Sequence, residues 1–175
     1  FVGNDWPPYA KAQPDRGQRW MNILHRERGG YPLVAVAYLP KPCQHCKHPP
    51  CLKAAHNGAV TVRQDGIVLI DPDKAVGQKQ LVEACPYGVI FWNETLQSPQ
   101  KCNLCAHLLD EGWKEPRCVQ VCPTGAMQAF KLTGDAWERL IKEDGLSRYL
   151  PEHETRPRVR YKNLKCFTHG FIAGS

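Results

Sequence analysis

The sequence predicts an α+β fold of two small modules, flanked by an extended N-terminal arm and an extended C-terminal tail. Three observations predict it. With 15 Pro and 14 Gly, the 175 residues are cut into short elements and leave no room for one large continuous core. Eight of the nine cysteines fall between positions 43 and 122, in two C-x-x-C groups with partners downstream. One unit, a helical turn followed by a Gly bend and the start of a strand, recurs three times.

In chain order, residues 1–32 are rich in Pro, Gly and Arg and are expected to form an arm that wraps something, with Trp6, Tyr9 and Trp20 as buried anchors. The apolar run Pro32 to Tyr38 has strand length, and Pro40-Lys41-Pro42 ends it. Ala59 to Val62 and Ile67 to Ile70 flank Gln64-Asp65-Gly66, a hairpin signal. Asp71 is the expected cap, and Pro72 the first position, of a helix over about 74–84. Val89 to Trp92 reads as a strand. A helix is expected after Lys101, ending near Glu111-Gly112. Ala126 to Leu132 reads as a strand, and Asp135 to Glu143 as a helix with Gly145 just beyond it. From Tyr149 onward the chain reads as basic and extended.

Composition narrows the function. The net charge is +6, with 42% hydrophobic and 23% charged residues, as in a folded globular protein. No run of 18 apolar residues exists, and the first residues have no signal-peptide pattern, so no membrane span or secretory leader is expected. The first residue is not Met, so the native N-terminus is expected upstream. Nine cysteines are roughly 5% of the chain, fewer than in a disulfide scaffold, and their odd number also argues against one. There is no P-loop, nucleophile elbow or G-x-G-x-x-G.

The three repeats are 51–60, 81–90 and 118–127, each with its Gly in register: Gly58, Gly88 and Gly125. Cys85 and Cys122 each precede a Pro, which fixes the backbone and aims the sulfur. This is the grammar of C-x-x-C-x-x-C-x-x-x-C-P, whose fourth Cys ligates the other cluster of a two-cluster ferredoxin. By that rule Cys43, Cys46 and Cys51 join Cys85 in one complete 4Fe–4S site. The reciprocal site would need cysteines where Ala55, Ala75, Gln78 and Leu81 stand. All four are absent together, so that slot is expected to be packed with side chains. In the second group Cys102, Cys105 and Cys118 would share a cluster. Either Cys122 closes it locally, or further cysteines lie in an upstream segment.

Other readings stand beside this one. Cys102, Cys105, Cys118 and Cys122 also have the spacing of a structural zinc site. Cys166 has no motif around it and reads as a plain thiol. His45 and His48, among the ligands, read as outer-shell or surface groups. Arg156 to Lys165 has the basic look of a nucleic-acid site, but a docking tail explains it as well, and two cluster sites of about −2 each would leave a net charge near +2. No nucleic-acid partner is expected. Tyr87 and Trp92 are expected to shield the Cys85 site from water.

The strings P-C-Q-H-C-K-H-P-P-C, D-G-I-V-L-I-D-P, A-C-P-Y-G-V, K-C-N-L-C-A-H-L-L-D and C-V-Q-V-C-P-T-G-A resemble the iron–sulfur subunits of the dimethyl-sulfoxide-reductase family of molybdopterin oxidoreductases. The lost slot, with G-N-D-W-P-P-Y, R-G-Q-R-W-M-N-I, R-E-R-G and P-R-V-R-Y-K-N-L, resembles the branch that holds the small subunits of pyrogallol–phloroglucinol transhydroxylase and resorcinol hydroxylase-type enzymes. The resemblance covers residues 3–174. It implies a non-catalytic electron-transfer subunit with three 4Fe–4S clusters. It implies a large catalytic partner with molybdenum on two pterin guanine dinucleotides, working on hydroxylated aromatics in anaerobic metabolism. Carried over, Cys43, Cys46, Cys51 and Cys85 match one cluster, Cys102, Cys105 and Cys118 three ligands of a second, and Cys122 one ligand of a third. The remaining four would come from a motif ending just before Phe1. Phe171 to Ser175 looks like the first strand of a following β-domain.

The expected organisation is an arm over 1–32, an inner ferredoxin-like module over 33–95, the second half of an outer module over 96–134, and a helix with a basic tail over 135–175. The expected location is the prokaryotic cytoplasm. A free-standing ferredoxin and a zinc-held interaction module are the alternatives.

Overall fold

The structure, a computed structural model, describes residues 5–168. Its strands form three separate antiparallel pairs. The first pair is β1 (Asn22–Gly30) and β2 (Leu33–Lys41), nine residues each, in register from Asn22↔Lys41 to Gly30↔Leu33. β2 is the expected strand, extended through Pro40 to Lys41. β1 falls in the expected arm. Its charged sequence, Leu24 to Gly30, carries no clear alternation, and its pairing comes from β2. Gly29 is needed at the turn: its φ is +87°, and a Cβ there would lie 2.1 Å from the Leu33 carbonyl.

One face of this ribbon carries Leu24, Ala37 and Leu39 against Tyr161, Leu164 and Phe167 of the C-terminal region. Arg26 and Arg28 tie the same face down. Their guanidinium groups donate to the carbonyls of Phe167 (3.1 and 2.6 Å) and Cys166 (2.7 Å) in helix α6 (Lys165–Thr168). (α6 closes the described chain; α1 to α5 precede it.) The opposite face leaves Ile23, Val34, Val36 and Tyr38 exposed.

The second pair is the expected Asp65-Gly66 hairpin, β3 (Val60–Val62) with β4 (Val68–Ile70). The Asp65 carboxylate accepts the Ile67 N–H at 3.0 Å, and Gly66 has φ +84° with the Arg158 guanidinium lying where a Cβ would project. The third pair, β5 (Phe91–Asn93) with β6 (Ser98–Gln100), includes a strand not expected from sequence, because Pro99 argues against one.

The helices are shorter than expected. α1 (Pro50–Ala54) starts on Pro49-Pro50. Asp71 does cap a turn, accepting the Asp73 and Lys74 N–H groups at 3.0 and 3.1 Å. That turn breaks at Gly77, whose φ is +78° and whose N–H is turned to the Gln97 carbonyl at 2.8 Å. Only α2 (Gln80–Glu83) of the expected 74–84 helix is helical. α3 (Ala106–Asp110), α4 (Arg117–Gln120) and α5 (Gly134–Glu143) follow, the last close to its expected bounds with Gly145 at φ +61° behind it. The expected strand over 126–132 is not one. A strand needs a ladder partner, none of the described residues pairs with it, and Phe130 and Leu132 stay exposed.

Arm and tail both close on the middle of the chain. The arm carbonyls of Lys11 and Ala12 accept from the Gln100 and Asn93 amides (2.8 and 3.4 Å), and Trp6 stacks on His107 with ring centroids 4.6 Å apart. Tyr9 and Arg63 both bond the Asp110 carboxylate. From the other end, residues 155–161 run across the 44–48 loop: Lys47 N–H to Arg156 carbonyl (2.9 Å), His48 N–H to Thr155 carbonyl (3.0 Å) and Arg158 N–H to Gln44 carbonyl (3.0 Å). The tail is therefore ordered packing, with a 3-10 turn at Pro151–His153, rather than a basic free end. No helix among the described residues is long and apolar enough to cross a membrane. The expected strand at Phe171 to Ser175 lies outside the described residues.

Candidate metal centre

The repeat read from sequence is present as geometry. Cys51, Leu81 and Cys118 each occupy the second position of a helix (α1, α2 and α4), and Gly58, Gly88 and Gly125 share left-handed backbone at φ +66°, +57° and +63°. The middle repeat has leucine where its neighbours have a thiol. Leu81 is fully buried with Ala75 and Ile90, and Ala55 packs against the same cluster. Gln78 seals the edge: its amide donates to the carbonyls of Lys74 (2.8 Å) and His56 (3.2 Å) and accepts the His56 N–H at 2.9 Å. The four positions at which cysteines are missing thus come together in the interior.

Cys43, Cys46, Cys51 and Cys85 are brought to the wall of one cavity. Each is aimed by a local device. Pro42 precedes Cys43. His45 takes φ +42° between Cys43 and Cys46 and accepts the Val68 N–H on Nδ1 at 3.0 Å, pinning the loop to β4. That bond leaves the proton on Nε2, and burial holds the ring neutral, with Lys101 and Arg158 adding to the effect. Pro49-Pro50 set Cys51 on the first turn of α1. Cys85 ends the turn after α2, before Pro86.

Burial pushes the Cys46 thiol up to about 11 and Cys51 to about 12. Cys85 is raised for the same reason, opposed by the N–H groups of Val89, Tyr87 and Gly88. Such thiols shed their protons only to a strongly cationic group, so the site suits metal ligation and not free thiolate chemistry. Among the described residues no three His, Cys, Asp or Glu side chains converge as ligands of one ion. The thiols instead surround a space, which suits a multi-atom cluster.

The second group is more open. Cys102 is half-buried and packs against the cluster of Cys43, Cys46, Tyr87 and Val89, its thiol is pushed up to about 12, and its sulfur accepts the Leu104 N–H at 3.4 Å. Leu104 and Cys105 are consecutive left-handed residues, and Asn103 Oδ1 accepts the Cys105 N–H at 2.9 Å. Cys118 is raised by burial and then by the neighbouring Cys105. Cys122 differs. The Thr124 hydroxyl, 3.5 Å away, and the N–H groups of Met127, Thr124 and Ala126 lower its thiol to about 7. That sulfur is prepared to carry negative charge at a half-buried position.

Other expectations divide. Tyr87 lines the cavity and is 4% exposed, its hydroxyl 2.6 Å from Thr155 Oγ1. Trp92 does not line it. It sits in β5 opposite Pro99, with the Lys79 ammonium 5.8 Å from its ring. Cys166 is exposed and apart from both groups. Sequence reasoning missed Lys101 and the 155–161 strap, whose contacts at the site are long-range.

A sequence profile of the 4Fe-4S dicluster domain family matches residues 34–132. The chain is 50% identical over 172 residues to the pyrogallol hydroxytransferase small subunit of Pelobacter acidigallici, covering 97% of this chain and 62% of that one. It is 34% identical over 152 residues to one subunit of the tetrathionate reductase of Salmonella typhimurium (82% and 59%). It is 33% identical over 165 residues to one component of the anaerobic dimethyl sulfoxide reductase of Escherichia coli (93% and 70%). The chain spans about three-fifths of the length of the first two.

Proposed function

Since the chain belongs to the 4Fe-4S dicluster domain family, we propose that it is the electron-transfer subunit of a two-subunit molybdenum oxidoreductase or transhydroxylase acting on hydroxylated aromatics. The observation that carries the reading is the gathering of Cys43, Cys46, Cys51 and Cys85 around one cavity beside a half-buried Cys102. The 50% identity to a pyrogallol hydroxytransferase small subunit supports the substrate class.

In this reading Cys43, Cys46, Cys51 and Cys85 hold one cluster. Cys102, Cys105 and Cys118 give three ligands of a second, and Cys122 one ligand of a third. The other ligands come from cysteines outside these residues. Residues 33–95 form the inner ferredoxin-like module, 96–134 half of the outer one, 1–32 the arm and 135–175 the helix and tail. A large partner carries the molybdenum on two pterin guanine dinucleotides, in the cytoplasm. Bound clusters supply one-electron storage and relay. The chain's own residues do the rest: thiolates ligate, Tyr87 and Val89 exclude water, and N–H groups at Cys102 and Cys122 bond sulfur and tune potential.

The test is the iron, sulfide, zinc and molybdenum content per small chain of the anaerobically purified native protein. About twelve iron with matching sulfide and about one molybdenum is expected. Four to eight iron without molybdenum would point to a free-standing ferredoxin, and zinc in place of iron would overturn electron transfer.

A further inference from the structure

Lys101 is an unusual cation. It is 4% exposed. Its ammonium donates to two backbone carbonyls, Val68 and, at 3.1 Å, Cys102. Among the described residues no carboxylate forms an ion pair with it. A buried charge held only by neutral dipoles is costly, so its position calls for a counter-charge.

Its surroundings supply one. Lys101 lines the cavity of Cys43, Cys46, Cys51 and Cys85, and it directly precedes Cys102. Cys102 in turn packs against the buried cluster of the first group. The ammonium therefore stands where the two cysteine groups meet, and its charge acts on both Cys51 and Cys102.

We propose that the Lys101 ammonium is the shared counter-charge of the two cysteine centres and sets the reduction potential of both. The inference rests on the cluster-ligand reading given above. Four thiolates around a core of about +2 leave each centre near −2 when oxidised, and one electron from a chemical reductant takes it to about −3. A fixed positive charge in a low-dielectric interior favours the added electron at either centre. It also eases the repulsion between two reduced neighbours. The two carbonyls hold the ammonium in place without neutralising it.

The test is an EPR-monitored redox titration of the intact complex, with iron counted per chain, in the unmodified protein and in Lys101→Gln, Lys101→Met and Lys101→Arg. In the neutral variants the reduction equilibrium of both centres is expected to fall at least tenfold, about 59 mV per electron, towards more negative potential. Lys101→Arg keeps both midpoints. Neutral variants with full iron and unmoved midpoints, or with one centre moved and the other not, overturn the proposal. If the neutral variants do not assemble, Lys101→Arg decides: retained midpoints support a role through charge, and displaced ones overturn it. Failure of the cluster reading is distinct, since the unmodified protein would then give no 4Fe–4S signal.

Discussion

Tyr87 and Thr155 meet hydroxyl to hydroxyl at 2.6 Å, 68 residues apart in sequence, on the wall of the first cysteine cavity. The contact joins the turn behind Cys85 to the strap over the 44–48 loop. Tyr87→Phe takes the phenol from a buried Thr155 hydroxyl that keeps its bond to the Cys46 sulfur, at a cost of about 1 kcal/mol. Urea unfolding should show the loss, and the cluster absorbance should bleach faster in air. Unchanged values for both would mean that the strap does not guard the site.

Leu81 occupies the core position at which the neighbouring repeats carry a thiol. Leu81→Ala removes a fully buried side chain and is expected to cost about 2–5 kcal/mol, read in the same unfolding experiment. Iron content should not change, because Leu81 holds no metal in the proposed scheme. A loss of iron without a loss of stability would contradict the packed slot.

Cys85→Ser and Cys166→Ser make a matched pair. The first lies on the cavity and the second is exposed elsewhere. Cys85→Ser is expected to lower iron by about four per chain, or to give a damaged cluster with an altered EPR signal. Cys166→Ser should match the unmodified protein in both. Equal behaviour of the two would remove Cys85 from the ligand set.

The Arg63 guanidinium, with the Tyr9 hydroxyl, holds the Asp110 carboxyl well below its ordinary value of 3.8. A carboxyl lowered in the folded state contributes stability that is fully present above its unfolded value and is lost as pH falls through the folded one. The stability gap between Asp110→Asn and the unmodified protein should therefore be constant near neutral pH and shrink below about pH 4. The groups are exposed, so added salt should narrow the gap as well. A gap that widens in acid would assign the effect to something other than this carboxylate.

Much of the site was legible because it is written locally. Cys-Pro steps, the register of Gly58, Gly88 and Gly125, and the joint absence of four cysteines at 55, 75, 78 and 81 all lie within short windows. The Asp65-Gly66 hairpin was legible for the same reason. What escaped depends on distant chain. β1 is a strand because β2 pairs with it, and residues 126–132 are not a strand because no described residue does. The 74–84 helix fails at Gly77, where a carbonyl from residue 97 competes for the N–H. Lys101 reads as one more charged residue until the fold closes around it.

The strap across the 44–48 loop also has a meaning in time. Arg156 is made more than a hundred residues after the Lys47 it bonds, so a chain emerging from the ribosome presents Cys43 and Cys46 uncovered until the 155–161 segment has been made. Assembly machinery thus has an interval in which the pocket is open from outside, and the arrival of residues 155–161 shuts it. A chain ending at residue 154 should accept iron yet surrender it to a chelator faster than the longer chain. Equal rates of surrender would show that the door is elsewhere.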